Sequence, residues 1–316
     1  MNYRNLGRTG LKVSEICLGN WMTHGHQLDV SEAIKVVHAA FDLGINFFDT
    51  ADMYAEGAAE EILGKTIRGI PRQEIVIATK CYWPVHAKGL TAMGHSRKHI
   101  FEAVDASLKR LKLDYVDLYQ LHKYDETTPL EETLGALNDL IRHGKTLYVG
   151  CSNYHPKLMQ KAYVLCKQHQ WAWFTSNQPR YNLLKRETEQ GLMQICKRQG
   201  VGLMVYSPLA QGFLTGKYHS EKDARGGTRL GESEDLRKRY FTRQNFMRVS
   251  KLCEIAKEWG CTPGQLALRW VLRKKEVSSA IVGARSVEQI RENTTAVDVE
   301  VSPNVLEKLS RIFPIN

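Results

Sequence analysis

A strand-then-helix unit recurs eight times along this chain, and that repetition constrains the fold more than any other feature. Short apolar or β-branched runs stand at residues 16–19, 46–50, 75–79, 116–122, 146–152, 174–178, 202–207 and 279–283. Between them lie stretches of helical period. In 96–111, the residues Ile100, Phe101, Val104, Leu108 and Leu111 fall three and four apart, as one buried helix face requires. Residues 130–141 and 287–297 read the same way, and Thr262-Pro263 has the form of an N-cap followed by proline at the first helical position. Most strand starts lie about thirty residues apart. The eighth is delayed by a basic, glycine-containing insert at 211–240 and a further helical stretch at 243–259.

Alternating strands and helices imply an α/β protein with a parallel sheet. The sheet is either open and doubly wound or closed as a (β/α)8 TIM barrel. A doubly wound nucleotide-binding sheet calls for Gly-x-Gly-x-x-Gly after an early strand, and the sequence has none. Two fragments resembling phosphate-binding loops also fail: Ala59…Gly64-Lys65-Thr66 lacks the first glycine, and Gly212…Gly216-Lys217 is one residue short. Eight units favour the closed barrel. Ahead of them, 3–6 and 11–14 flank Gly7-Arg8-Thr9-Gly10, which predicts a β-hairpin closing the barrel bottom. No low-complexity linker divides the chain, so the expectation is one domain over 1–316.

Composition narrows the function classes. No run approaches the roughly 18 apolar residues of a membrane span, and the first residues lack a signal-peptide pattern. A cytoplasmic protein with no membrane association is expected. The seven cysteines form no Cys-x-x-Cys pair, which argues against a disulfide framework or zinc site; Cys81 and Cys151 adjoin candidate site positions. The net charge is +10. It is concentrated in 217–251, where ten Lys and Arg face five acids. The stretch has four aromatics, Tyr218, Tyr240, Phe241 and Phe246, but no nucleic-acid motif, so no nucleic-acid partner is expected.

In such a barrel, chemistry sits at the carboxyl ends of the strands. Those ends carry Asp49 (then Tyr54), Lys80, His122, Ser152-Asn153, Gln178, Tyr206-Ser207 and Gly283-Ala284-Arg285. One polar strand end means little. Seven in register on one rim mark a site. A phenol is a poor acid at neutral pH, and an ammonium such as Lys80 lowers its pKa. Asp49 would hold Lys80 charged, and His122 would hydrogen-bond the substrate oxygen or relay the proton. The four together would make Tyr54 a proton donor aimed at a carbonyl oxygen. Trp21, Tyr82 and Trp83 are expected as an aromatic wall of the substrate pocket.

These residues resemble a known family. The segment Gly44-Ile-Asn-Phe-Phe-Asp49-Thr-Ala-Asp-Met-Tyr54-Ala-Glu-Gly-Ala-Ala-Glu60 is similar to the signature of the aldo-keto reductases. The likeness continues through Ile77-Ala-Thr-Lys80, Leu113-Asp-Tyr-Val-Asp-Leu-Tyr-Gln-Leu-His122, Gly150-Cys-Ser-Asn153, Gln178-Pro-Arg-Tyr-Asn182, Tyr206-Ser-Pro-Leu-Ala210 and Val282-Gly-Ala-Arg285. Lys80-Cys-Tyr-Trp83 and the run Gly212 to Lys217 resemble the branch containing the potassium-channel β subunits and their bacterial relatives. In the channel subunits the position matching His122 is asparagine; here it is histidine, which tilts the reading from regulatory subunit toward working enzyme.

The resemblance implies a barrel that binds NADPH without a Gly-rich dinucleotide motif and reduces small-molecule carbonyl compounds. Carried over by position, Asp49, Tyr54, Lys80 and His122 would be the catalytic tetrad. Ser152, Asn153 and Gln178 would hold the nicotinamide amide, and Tyr206 would stack on its ring; Trp21 and Asp49 would also border the cofactor. Ser207, Pro208, Leu209, Ala210 and Gly212 would line the pyrophosphate, with Lys217 pairing a phosphate. Gly283, Arg285, Gln289, Glu292 and Asn293 would surround the adenosine end. The basic insert would be a flap, from which Arg229, or failing it Arg225, would reach the 2′-phosphate. Independently, Asn and Gln side chains match an amide in donors and acceptors, and Gly283 and Arg285 ahead of a helix suit an anion.

Two other classes compete. His24-Gly25-His26 after the first strand is the place for a metal pair of a barrel hydrolase. That class needs further histidines at strands five and six and an aspartate at strand eight, where Ser152-Asn153, Gln178 and Gly283 stand. No metal is expected, and His24 and His26 would border the substrate mouth or sit in solvent. The second rival is a reductase-like binding module that senses NADPH or docks on a partner. The oligomeric state stays open.

Overall fold

A computed structural model describes residues 1–86, 89–223 and 229–315, without the side chains of Arg229 and Glu232. A short hairpin, β1 (Tyr3–Asn5) and β2 (Lys12–Ser14), precedes eight strands: β3 (Ile16–Gly19), β4 (Phe47–Asp49), β5 (Val76–Cys81), β6 (Val116–Leu121), β7 (Thr146–Ser152), β8 (Ser176–Gln178), β9 (Gly202–Tyr206) and β10 (Val277–Val282). These eight pair in parallel in sequence order, and β10 closes on β3 through Ala280↔Ile16, Ile281↔Cys17 and Val282↔Leu18. The sheet is therefore a closed barrel. The doubly wound alternative is excluded. Strands β3 and β7 have the bounds read from sequence, and the others differ by a few residues at their ends.

The helices around the barrel are α1 (Val30–Asp42), α2 (Ala58–Thr66), α3 (Arg97–Leu111), α4 (Leu130–Arg142), α5 (Pro156–His169) and α6 (Leu192–Gln199). They continue with α7 (Arg229–Glu232), α8 (Glu234–Tyr240), α9 (Arg243–Glu258), α10 (Pro263–Leu272), α11 (Val287–Thr295) and α12 (Pro303–Ile312). Their starts follow local chemistry. Ser96 caps α3 by accepting from His99 N, and Thr262 with Gln265 forms a capping box ahead of Pro263 on α10. Helix α11 ends earlier than its apolar period suggests, because a 3-10 turn at Ala296–Asp298 takes over.

Two apolar layers result. Leu6, Val13, Cys17, Phe47, Val76, Ala78, Leu118 and Met204 fill the barrel interior, and the larger layer lies between the strands and the helices. Leu6 and Val13 show that the hairpin plugs the amino end. Arg4 clamps it there, donating to the carbonyls of Leu272, Lys274 and Val277 at 2.7, 2.9 and 2.6 Å while pairing with Glu15. Gly7 has φ +60, and a Cβ there would stand 2.4 Å from the Gly200 carbonyl. Only glycine fits that approach.

The four aromatics of the basic stretch are structural. Tyr218, Tyr240, Phe241 and Phe246 pack around Phe213 at centroid distances of 5.3–6.3 Å. This cluster gives the insert and the start of α9 an apolar core of their own. Among the described residues, no helix is long and apolar enough to cross a membrane. All seven cysteines are free thiols. Cys81 and Cys151 are buried away from the cavity described next.

Candidate active site

The carboxyl ends of the strands open into a cavity of about 640 Å³. Asp49 closes β4, Lys80 is the penultimate residue of β5, and His122 follows β6. Tyr54 comes from the loop after β4. The backbone that places it is unusual: Ala55 and Glu56 both lie in the left-handed region, at φ 48 and 52, followed by Gly57 at φ 92. Such conformations cost energy and persist where surrounding structure enforces them. Asn153, Ser207, Ala210 and Gln211, also at the rim, have positive φ as well.

Lys80 is fully buried beneath the cavity floor. Its Nζ donates to Asp49 Oδ2 at 2.7 Å and to the Thr50 carbonyl at 2.6 Å. The same ammonium lies 5.1 Å from the centroid of the Tyr54 ring and interacts with its hydroxyl. Two of the three ammonium donors thus have acceptors, and the third side faces Tyr54. Asp49 Oδ1 accepts from Gln178 Nε2 at 2.9 Å and from Gln120 Nε2 at 3.4 Å.

Burial opposes the charge on Lys80, but Asp49 and Tyr54 outweigh it and hold its pKa above the ordinary ammonium range. Burial pushes the Tyr54 phenol up, and Lys80 only partly offsets this. The sequence-based expectation of a lowered phenol pKa is corrected here: Lys80 acts in the expected direction, and desolvation is the larger effect. Burial, together with the charge of Lys80, pushes the His122 imidazole well below its usual range. Neutral His122 meets the Tyr54 ring edge-on at 5.6 Å and Trp83 at 4.7 Å.

Along the rim, Ser152 Oγ donates to the Gln178 carbonyl at 2.8 Å, and Asn153 Nδ2 donates to Ser152 Oγ at 2.9 Å. Tyr206 OH donates to Asn153 Oδ1 at 3.3 Å. Ser207, Pro208, Leu209 and Gly212 continue the lining, with Lys217 Nζ 3.0 Å from where a Cβ on Gly212 would stand. At the far end lie Gly283, Arg285, Gln289, Glu292 and Asn293. Gln289 is tied to the Arg285 backbone N–H at 2.9 Å, and Ser286 caps α11. Trp21 and Trp83 line the mouth.

Some expected residues lie elsewhere. Tyr82 does not face the cavity; it is buried edge-on between Trp83 and His95, at 5.0 and 5.2 Å, and backs the Trp83 ring. Ala210 is fully buried, spent on the turn at φ 49. Arg225 and the side chain of Arg229 lie outside the described residues. His24 is neither at the mouth nor in solvent: it is buried against Asn20, and burial lowers its pKa to about 4. Among the described residues no three His, Cys, Asp or Glu side chains gather as a metal set.

Sequence reasoning missed Gln27, Lys123 and Arg180 in the cavity wall, and Gln120 beneath it. Gln120 is a fully buried amide in β6, a strand that also holds Asp117. Arg180 lies within the Gln178-to-Asn182 segment.

The Aldo/keto reductase family model matches residues 15–313. A probable voltage-gated potassium channel subunit beta of Arabidopsis thaliana is 41% identical, over 99% of this chain and 97% of its own length. Its counterpart in Oryza sativa subsp. japonica is 40% identical over 99% of this chain and 96% of its own. A putative subunit beta of Schizosaccharomyces pombe is 38% identical, over 98% and 93%.

Proposed function

Because this chain belongs to the aldo/keto reductase family, we propose that it reduces aldehydes and ketones to alcohols with NADPH, and that Tyr54 gives the proton. One observation carries the reading: a buried ammonium, Lys80, is held between Asp49 and Tyr54 at the floor of a large cavity. On the same reading residues 1–316 act as one catalytic domain, and Asp49, Tyr54, Lys80 and His122 are the reacting set.

The cavity suits NADPH. Asn153 and Gln178 offer amide donors and acceptors near Tyr54, and the bare backbone at Gly212 and Gly283 lies beside the cations Lys217 and Arg285. A volume of about 640 Å³ is in the range of ligand sites. When bound, NADPH supplies the hydride for the carbonyl carbon. Ser152, Asn153 and Gln178 hold the nicotinamide amide, and Tyr206 covers its ring. Lys217, Arg285, Gln289, Glu292 and Asn293 hold the phosphate and adenosine end.

Tyr54 keeps its proton at neutral pH because burial raises its pKa. It donates that proton as charge develops on the substrate oxygen, and Lys80 stabilises the phenolate left behind. Asp49 keeps Lys80 charged. Neutral His122 donates a hydrogen bond to the same oxygen and fixes the carbonyl's orientation.

A second reading, favoured by the relatives named as channel subunits, is a binding role beside or instead of turnover. The test is consumption of NADPH, followed by its near-ultraviolet absorbance, with a panel of aldehydes and ketones, and with NADH in parallel. Turnover faster with NADPH than with NADH supports the proposal. Tight NADPH binding with no turnover on any carbonyl would leave the binding role.

A further inference from the structure

We infer that Arg180 forms an anion subsite for the substrate, so that the preferred carbonyl compounds carry a carboxylate or phosphate. Arg180 lines the cavity directly after Gln178 and Pro179, with its guanidinium 5.4 Å from the centroid of the Tyr206 ring. Its Nε is buried with no hydrogen-bond partner, and among the described residues the guanidinium has no ion pair. A buried N–H left unpaired is costly, and an anion entering the cavity would satisfy it while facing the half-buried guanidinium. The guanidinium fork matches a carboxylate or phosphate in two parallel hydrogen bonds.

The charges around it point the same way. The acids lining the described cavity are Asp49, which is bonded to Lys80, and Glu292 on α11. Lys123, beside His122, adds a second cation to the wall; its ammonium lies 4.7 Å from the Tyr82 ring centroid and forms no ion pair among the described residues. The inference rests on the proposed cofactor position. On that reading the phosphates sit by Gly212, Lys217 and Arg285, whereas Arg180 lies over Tyr206, whose hydroxyl bonds Asn153 and which would meet the uncharged amide head of the cofactor. The anion that reaches Arg180 then belongs to the substrate.

The test compares 4-carboxybenzaldehyde with its methyl ester, which has the same ring and carbonyl but no charge. Wild type should show a kcat/KM at least about tenfold higher for the carboxylate, as one charge-assisted hydrogen bond allows. In Arg180→Met the ratio should fall toward one, Arg180→Lys should recover part of it, and affinity for NADPH should not change. Equal ratios in wild type and Arg180→Met would overturn the subsite. A weakened NADPH affinity with an unchanged ratio would also overturn it, by making Arg180 a cofactor contact. Calorimetric titration of NADP+-loaded protein with the two aldehydes reads the same preference without turnover. Preference retained without turnover on either aldehyde counts against the reductase reading and for the subsite; equal affinities count against the subsite.

Discussion

Gln178 Nε2 donates to Asp49 Oδ1 at 2.9 Å, joining two strand ends 129 positions apart in the chain. The amide proposed to hold the cofactor therefore also steadies the carboxylate that holds Lys80. On the proposed function, cofactor binding and the proton-donating group share one side chain.

Replacing Gln178 should reveal both duties. Gln178→Ala removes one of three donors on Asp49 and should destabilise the fold by about 1–3 kcal/mol. It should also weaken NADPH binding about tenfold. Asn153→Ala, which does not touch Asp49, should weaken NADPH binding with a smaller stability loss. Urea midpoints and fluorescence titrations check the pair. Equal stability losses in both variants would separate Gln178 from the Asp49–Lys80 pair.

Tyr54 and Lys80 both have pKa values above their ordinary 10.0 and 10.5. A raised pKa means that the folded state holds its proton longer than the unfolded chain. The stability these groups add is fully present below the ordinary values and is lost as pH rises through the raised ones. Carbonyl reduction should likewise be flat across neutral pH and fall only above about pH 10. A rate profile for a saturating aldehyde checks this, and an inflection between pH 7 and 8 would contradict it.

Much of this site was legible because strand ends and motifs are local features. Asp49, Lys80, His122 and Gln178 could be placed on one rim by counting βα units alone. The sign of the Tyr54 shift could not, because burial by the surrounding loops depends on tertiary packing. Tyr82 illustrates the same limit: strand alternation does not say how a residue two positions past Lys80 turns, and contact with His95 takes it away from the cavity. Gln120 and Arg180 were missed because an amide in a strand and an arginine after one have no pattern that marks their direction. The basic insert read as a charged flap, and its aromatics proved to pack together around its own Phe213.

Acid should destabilise the protein through its buried imidazoles. Burial lowers His24 and His95 to about 4 and His122 well below its usual value of 6.5. The unfolded chain then binds more protons than the folded one below pH 6.5, so stability falls as pH falls. Each imidazole contributes a slope of up to about 1.4 kcal/mol per pH unit until its folded pKa is passed. Denaturation midpoints at pH 7 and pH 5 measure the drop, and His95→Gln should reduce its size if that variant folds.

The hairpin offers a control away from the chemistry. Arg4→Ala removes the partner of the buried Glu15 and one donor from each of three carbonyls between the end of α10 and the start of β10. It should cost about 3 kcal/mol of stability. Because the hairpin closes the amino end and the cavity opens at the carboxyl end, KM for aldehyde and NADPH should be unchanged at a temperature where the variant stays folded.

The most direct measurement compares Tyr54→Phe with wild type for both NADPH affinity and aldehyde turnover. Phenylalanine keeps the ring beside His122 and removes the proton. NADPH affinity should stay within about twofold while turnover falls by about a hundredfold or more. Turnover in Tyr54→Phe equal to wild type would contradict Tyr54 as the proton donor.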